Sequence, residues 1–212
     1  MCKKELDYFH IDGYFGGSQS WFLDPWMHIG GCGALTMCDF LLYQAICRGR
    51  DDCDPFREKK MQGADGHLDE TRISKRDYRR FGMHMKPYLR PRETGIKDLA
   101  TFIEGAKVYL EYSGIDDFSL EPMDGGRPYA EAEAAVIDRI DHDMPVPMLM
   151  LKHRDKQFNF FEWHWFLLVG YEKKQDAFRV KAATYGKSHW LDFPDFWDTG
   201  ETERGGLVLI RQ

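Results

Sequence analysis

The run FEWHWFLLVGY, residues 161–171, decides how the rest of the chain is read. Aromatic and branched side chains fill it, which is strand composition. The text around it is similar. PVPMLMLKH (145–153), AFRVKAATY (177–185), SHWLDF (188–193) and GGLVLIRQ (205–212) are also short, branched or aromatic runs. Glu172–Asp176 reads as a hairpin turn and Pro194–Trp197 as one helical turn. These runs crowd the C-terminal part of the chain, whereas helical patterns dominate upstream. Strands that follow helices in a block, instead of alternating with them, predict an α+β fold with an antiparallel sheet.

Working outward, Ala34, Leu35, Met37, Cys38, Leu41, Leu42, Ala45 and Ile46 recur at helical spacing, and Gly49 offers a stop. This is the most apolar helical pattern in the chain, so it is expected to be central and buried. A second helix is predicted over Asp98–Ser113, with Leu99, Phe102, Ile103, Ala106 and Leu110 on one face and Gly114 closing it. A third starts at Pro128, with Ala132, Ala135, Val136 and Ile140 inward. Residues 1–30 show little periodicity and read as an irregular arm. Residues 48–92 carry 13 Lys/Arg against 8 Asp/Glu, and read as a polar, solvated insertion with one short helix near 75–85 capped by Ser74. Residues 115–143 carry 9 acidic and 2 basic side chains and read as a solvated face.

The 212 residues suit a single domain, 1–212, with a helical part to about 127 and a mainly sheet part beyond. Hydrophobic content of 43% and charged content of 30% exclude a disordered chain or a coiled-coil rod. No apolar run is long enough for a membrane span. The net charge of −6 gives no support to a nucleic-acid partner. The start MCKKELDYFHIDGYFGG has no apolar stretch fit for a secretory signal, and the five cysteines form no CxxC pair. A reduced, cytoplasmic protein without disulfides, metal or cofactor is the expectation. Asp24, His28 and Cys32 lie four apart, but Pro25, Gly30 and Gly31 break a helix that would align them as zinc ligands.

Two residues stand out chemically. Cys32 lies in Gly30-Gly31-Cys32-Gly33-Ala34, at the mouth of the apolar helix. A helix N-terminus carries free N–H groups and partial positive charge, which favour a thiolate. Flanking glycines let another chain approach the sulfur. His164 interrupts the apolar strand, where an imidazole is costly unless its nitrogens are paired. Glu162, two residues before it, is a candidate helper. A helix-mouth cysteine followed about 130 residues later by a strand histidine suits a nucleophile and its base.

These stretches resemble the papain-like cysteine peptidases, most closely their bacteriocin-processing, double-glycine-leader branch. The likeness rests on Gln19 ahead of the GGCGA motif, on the helix Glu131–Asp143 leading into Met144-Pro145-Val146, on His164–Tyr171, and on Val180–Gly186 with Trp190–Trp197. It covers residues 13–47 and 128–200 and leaves 48–127 without a counterpart. The resemblance implies a papain-like fold, with the nucleophile helix packed on the sheet. It also implies Cys32 as nucleophile, His164 as base in a thiolate–imidazolium pair, Gln19 as oxyanion donor, and a peptide or protein substrate. Gln19 lies thirteen residues before Cys32, farther than the family's usual handful, so Trp21, Pro25 and Trp26 are expected to form an ordered excursion. The family's orienting acid or amide should fall at Ala182-Ala183-Thr184, where only Thr184 has a side chain able to bond the imidazole; Asp192 on the next strand is the other candidate. Three functions stay open: a peptide or isopeptide hydrolase, an amine-accepting acyltransferase using the same parts, and a catalytically silent binding domain.

Overall fold

The central helix forms where the apolar spacing demands it. In the computed structural model, which describes residues 2–56, 73–175 and 177–212, α1 spans Pro25–Gly30 and α2 spans Cys32–Cys47. Every residue of α2 from Cys32 to Gln44 is buried. A helix apolar all round belongs inside a core. No side chain caps its start at Gly31, so the first N–H groups of α2 are left for other partners.

Three more long helices follow, one packed on α2 and two on the sheet. α3 (Lys75–Met85) is capped by the Ser74 hydroxyl, which accepts from Asp77 N–H, and α4 (Leu99–Tyr112) by Asp98, which accepts from Thr101 N–H. α5 spans Tyr129–Asp141 after Pro128. The expectation of a solvated insertion over 48–92 is corrected in part. α3 packs against α2 and buries Tyr78, Phe81, Gly82 and Met85. Its charges occupy the outer face only, which composition alone does not reveal. The remainder of that reading, over 57–72, lies outside the described residues.

The sheet is antiparallel throughout, in the order β4-β9-β5-β6-β7-β8, with β1 also pairing β6. β5 is Val146–Met150, β6 His164–Lys174, β7 Ala177–Thr184, β8 Lys187–Asp192 and β9 Gly205–Arg211. β6 is buried from His164 to Tyr171 because α2 and α5 both pack against it, and its unbroken apolar run follows from that. A last short helix, α6 (Phe193–Trp197), covers β7 and β8. The mixed helix and antiparallel-sheet architecture agrees with the sequence reading.

Two strands come from segments read otherwise. β1 (Cys2–Glu5) belongs to the arm and continues the β6 edge beyond β5, and β4 (Ser119–Asp124) belongs to the acidic stretch and pairs β9. Neither has an apolar alternation to announce it; Leu120 is the single buried residue of β4. The rest of the arm is ordered as a hairpin, β2 (His10–Ile11) and β3 (Tyr14–Phe15), a 3-10 turn at Gln19–Trp21, and α1. The excursion between Gln19 and Cys32 is thus ordered, as expected, and consists of a 3-10 turn and a helix that the sequence reading did not foresee. Pro25 opens α1 rather than breaking it, because proline suits the first helical position.

Candidate active site

The first turn of α2, the first residue of β6 and the end of β7 converge on one pocket. Cys32, His164, Thr184, Tyr185 and Gln19 all line it, with Ser18, Thr36, Asp39 and Tyr78 further along. Its free volume is about 20 Å³. That accommodates one water-sized group, such as a carbonyl oxygen, and no side chain.

Register puts the histidine there. Met150 pairs His164 at the start of β6, and Leu167 pairs Ala183 on β7, so Thr184 falls beside the imidazole. His164 Nε2 and Thr184 Oγ1 are 2.6 Å apart. Of the two candidate partners it is therefore Thr184 that holds the ring. Asp192 is exposed at the end of β8, opposite Arg179, and does not reach it. Glu162 is corrected as well: its carboxylate accepts from His153 N–H at 2.8 Å, and it precedes β6 instead of sharing a strand face with His164.

The backbone on either side of the imidazole is strained. Trp163, directly before it, has φ 54°, and Tyr185, directly after Thr184, has φ 50°. Positive φ is a genuine outlier for residues this bulky. The Tyr185 ring lies parallel to the imidazole, with centroids 4.6 Å apart and planes 7° from parallel.

Cys32 and His164 are each 5% exposed. Burial pushes the Cys32 thiol above its ordinary value, while the backbone N–H groups of Trp165, Gly33 and Cys32 itself pull weakly the other way. Burial also brings the imidazole down to about 3. Both shifts favour the neutral form of each group, and so run against the implied thiolate–imidazolium pair. The physical reason is that each charge would be desolvated, and Thr184 offers a dipole where a carboxylate would offer a charge.

The Gln19 side chain reaches the same pocket. Its Nε2 donates over long contacts, 3.4 Å to the Tyr185 hydroxyl and 3.5 Å to Ile29 O, and its Oε1 is buried without a partner among the described residues. Neither Asp24 nor His28 comes to the sulfur. Asp24 caps α1 through Met27 N–H and pairs with Lys86, and His28 Nδ1 lies against Phe22 O. Among the described residues no three His, Cys, Asp or Glu side chains gather as a metal would require, and no disulfide joins the cysteines.

Asp39 is the polar residue that the sequence reading missed. It sits two turns along α2 from Cys32, and its carboxylate accepts from Gly17 N–H at 3.0 Å, Tyr78 O–H at 2.7 Å and Tyr8 O–H at 3.2 Å. Burial raises it to about 6, against those three donors. Gly17 has to be glycine, since a Cβ there would lie 1.9 Å from the Tyr78 hydroxyl oxygen. Gly17 O in turn accepts from Gly186 N–H at 2.8 Å. One carboxylate on α2 thus fastens the arm that carries Gln19, and that arm fastens the β7–β8 turn beside His164. A charged residue inside an otherwise apolar helix was the available signal.

The chain matches no protein-family model, no curated protein and no solved structure. No helix among the described residues is long and apolar enough to cross a membrane.

Proposed function

We propose that this chain is a papain-like cysteine hydrolase that cleaves a peptide or isopeptide bond through a thioester. The observation carrying this is that Cys32, His164 and Gln19 line one pocket, although His164 lies far from the other two in sequence. A nucleophile, a base and an amide donor in one recess are the minimum set for acyl transfer.

The neutral resting pair sets the mechanism. His164 Nε2–H donates to Thr184, which leaves Nδ1 unprotonated as the base. The thiol proton passes to Nδ1 as sulfur attacks the carbonyl carbon, so charge develops only with substrate in place. The oxyanion takes hydrogen bonds from Gln19 Nε2–H and Cys32 N–H. The imidazolium then protonates the leaving amine, and water releases the acyl group with His164 again as base. An amine in place of water would give the acyltransferase. Leu23, Trp26 and Ile29, exposed at a spacing of three along the segment that leads into Cys32, give an extended peptide apolar contact area. The reduced thiols suit a cytoplasmic setting.

A second reading is a silent binding domain. The absence of a charged partner for His164 among the described residues favours it, because threonine stabilises an imidazolium poorly. A set of peptidyl chloromethyl ketones with varied side chains separates the two. The hydrolase forms a covalent adduct at Cys32, located by mass spectrometry and abolished by Cys32→Ala. No adduct at Cys32 with any member of the set would leave the silent domain as the better reading.

A further inference from the structure

The β7–β8 connection is a two-residue turn with positive φ at both positions, 50° at Tyr185 and 72° at Gly186. Turns of this type favour Asn, Asp or Gly at the first position, and the β2–β3 hairpin follows that preference with Asp12-Gly13 at φ 47° and 82°. A tyrosine at this position is locally unfavourable, and such strain marks a side chain held for what it does. The Tyr185 ring covers the imidazole of His164 and meets Phe160 at 5.2 Å. Its hydroxyl oxygen accepts from Gln19 Nε2, and its own hydrogen has no acceptor among the described residues. The ring therefore lies on the base and its hydroxyl against the amide donor, at the pocket that Cys32 also lines.

We propose that Tyr185 is a catalytic residue whose O–H donates to the carbonyl oxygen of the bound acyl group as Cys32 attacks. The inference rests on the acyl-transfer reading above. As the sulfur–carbon bond forms, the carbonyl π pair moves onto oxygen and the thiol proton moves to His164. The resulting oxyanion accepts from Tyr185 beside Gln19 and the Cys32 backbone. When the intermediate collapses, the C=O bond re-forms and the leaving group departs with its bonding pair. Burial, with the Cys32 thiolate as the lesser cause, lifts the Tyr185 phenol to about 12, so it stays a protonated donor at working pH.

Two small probes of the full chain isolate this role. p-Nitrophenyl acetate acylates a thiol through an oxyanion and expels p-nitrophenolate. Iodomethane alkylates the same thiol by direct displacement of iodide, without an oxyanion. Both products are assigned to Cys32 by mass spectrometry. Tyr185→Phe keeps the ring and removes the hydroxyl. It is expected to slow acylation of Cys32 by roughly tenfold or more, with methylation held within about twofold of the parent rate. Unchanged acylation overturns the proposal, and so does an equal fall in both rates, which would make the hydroxyl a support for sulfur or base. If the parent chain is methylated at Cys32 but never acylated, the acyl-transfer reading itself fails and the proposal falls with it.

Discussion

The two ends of the pocket handle polar burial in opposite ways. At one end His164 has a single neutral hydrogen-bond partner among the described residues, Thr184, and burial brings it down to about 3. Two turns along α2, Asp39 gathers three donors, and burial raises it to about 6. The one buried carboxylate among the described residues thus serves the architecture and not the imidazole. It ties the arm to α2, and the arm positions Gln19 and the Tyr185-Gly186 turn. The imidazole has no counter-charge among the described residues, so under the proposed mechanism it would act as a neutral base whose charge appears only during reaction.

The sharpest way to break this contrast is to delete each end in turn. Cys32→Ala should abolish acyl-enzyme formation while the urea midpoint stays close to the parent's, because the change in packed volume is small. Asp39→Ala should do the reverse first. It strands Gly17 N–H and two phenols in the interior, and a loss of about 3 kcal/mol is expected from urea unfolding. Full stability in Asp39→Ala would remove the carboxylate from its fastening role.

Acid titration tests the same contrast from both sides. His164 has a folded value near 3, below its ordinary 6.5, so its contribution to stability is complete above 6.5 and is lost as pH falls towards 3. Asp39 has a folded value near 6, above its ordinary 3.8, so its contribution is complete below 3.8 and is lost as pH rises through 6. Between pH 7 and pH 4 each moves stability by roughly 2–3 kcal/mol, in opposite directions. Relative to the parent, His164→Asn should therefore gain stability on acidification and Asp39→Asn should lose it. Parallel curves for all three proteins would contradict the assigned burial.

The smallest effect belongs to Thr184. Thr184→Ala removes the ring's one hydrogen-bond partner among the described residues and should cost about 1 kcal/mol of stability, with roughly a tenfold slower alkylation of Cys32 as the imidazole loses its orientation. Thr184→Asp sharpens the comparison further by giving this end a carboxylate of its own. Its Cys32 alkylation profile should move to lower pH than the parent's.

Much of this was legible before the structure, for definite reasons. α2 and α4 announce themselves because their apolar faces repeat at helical spacing, and β5 to β9 because branched and aromatic residues cluster between turns. The candidate cysteine and histidine stand out because each breaks the pattern around it, a glycine-flanked thiol and an imidazole in an apolar run, and the structure places both on one pocket. β1 and β4 were not, since polar strands at sheet margins are held by backbone pairing that side-chain pattern does not encode. Asp39 was overlooked because its partners, Tyr8, Gly17 and Tyr78, come from two other segments. Nothing local in the sequence marks Tyr185 as a site residue either. Its φ and its stacking on His164 exist only once β7 and β8 are paired with β6.

The central claim is that Cys32 and His164 act as a neutral thiol–imidazole pair. Site-resolved iodoacetamide alkylation of Cys32 across pH 5 to 10, in the parent and in His164→Asn, tests it most directly. The account predicts parent alkylation at neutral pH that falls by roughly a hundredfold without the imidazole, while both proteins converge at alkaline pH as the thiol ionises unaided. Identical profiles for the two proteins would contradict it.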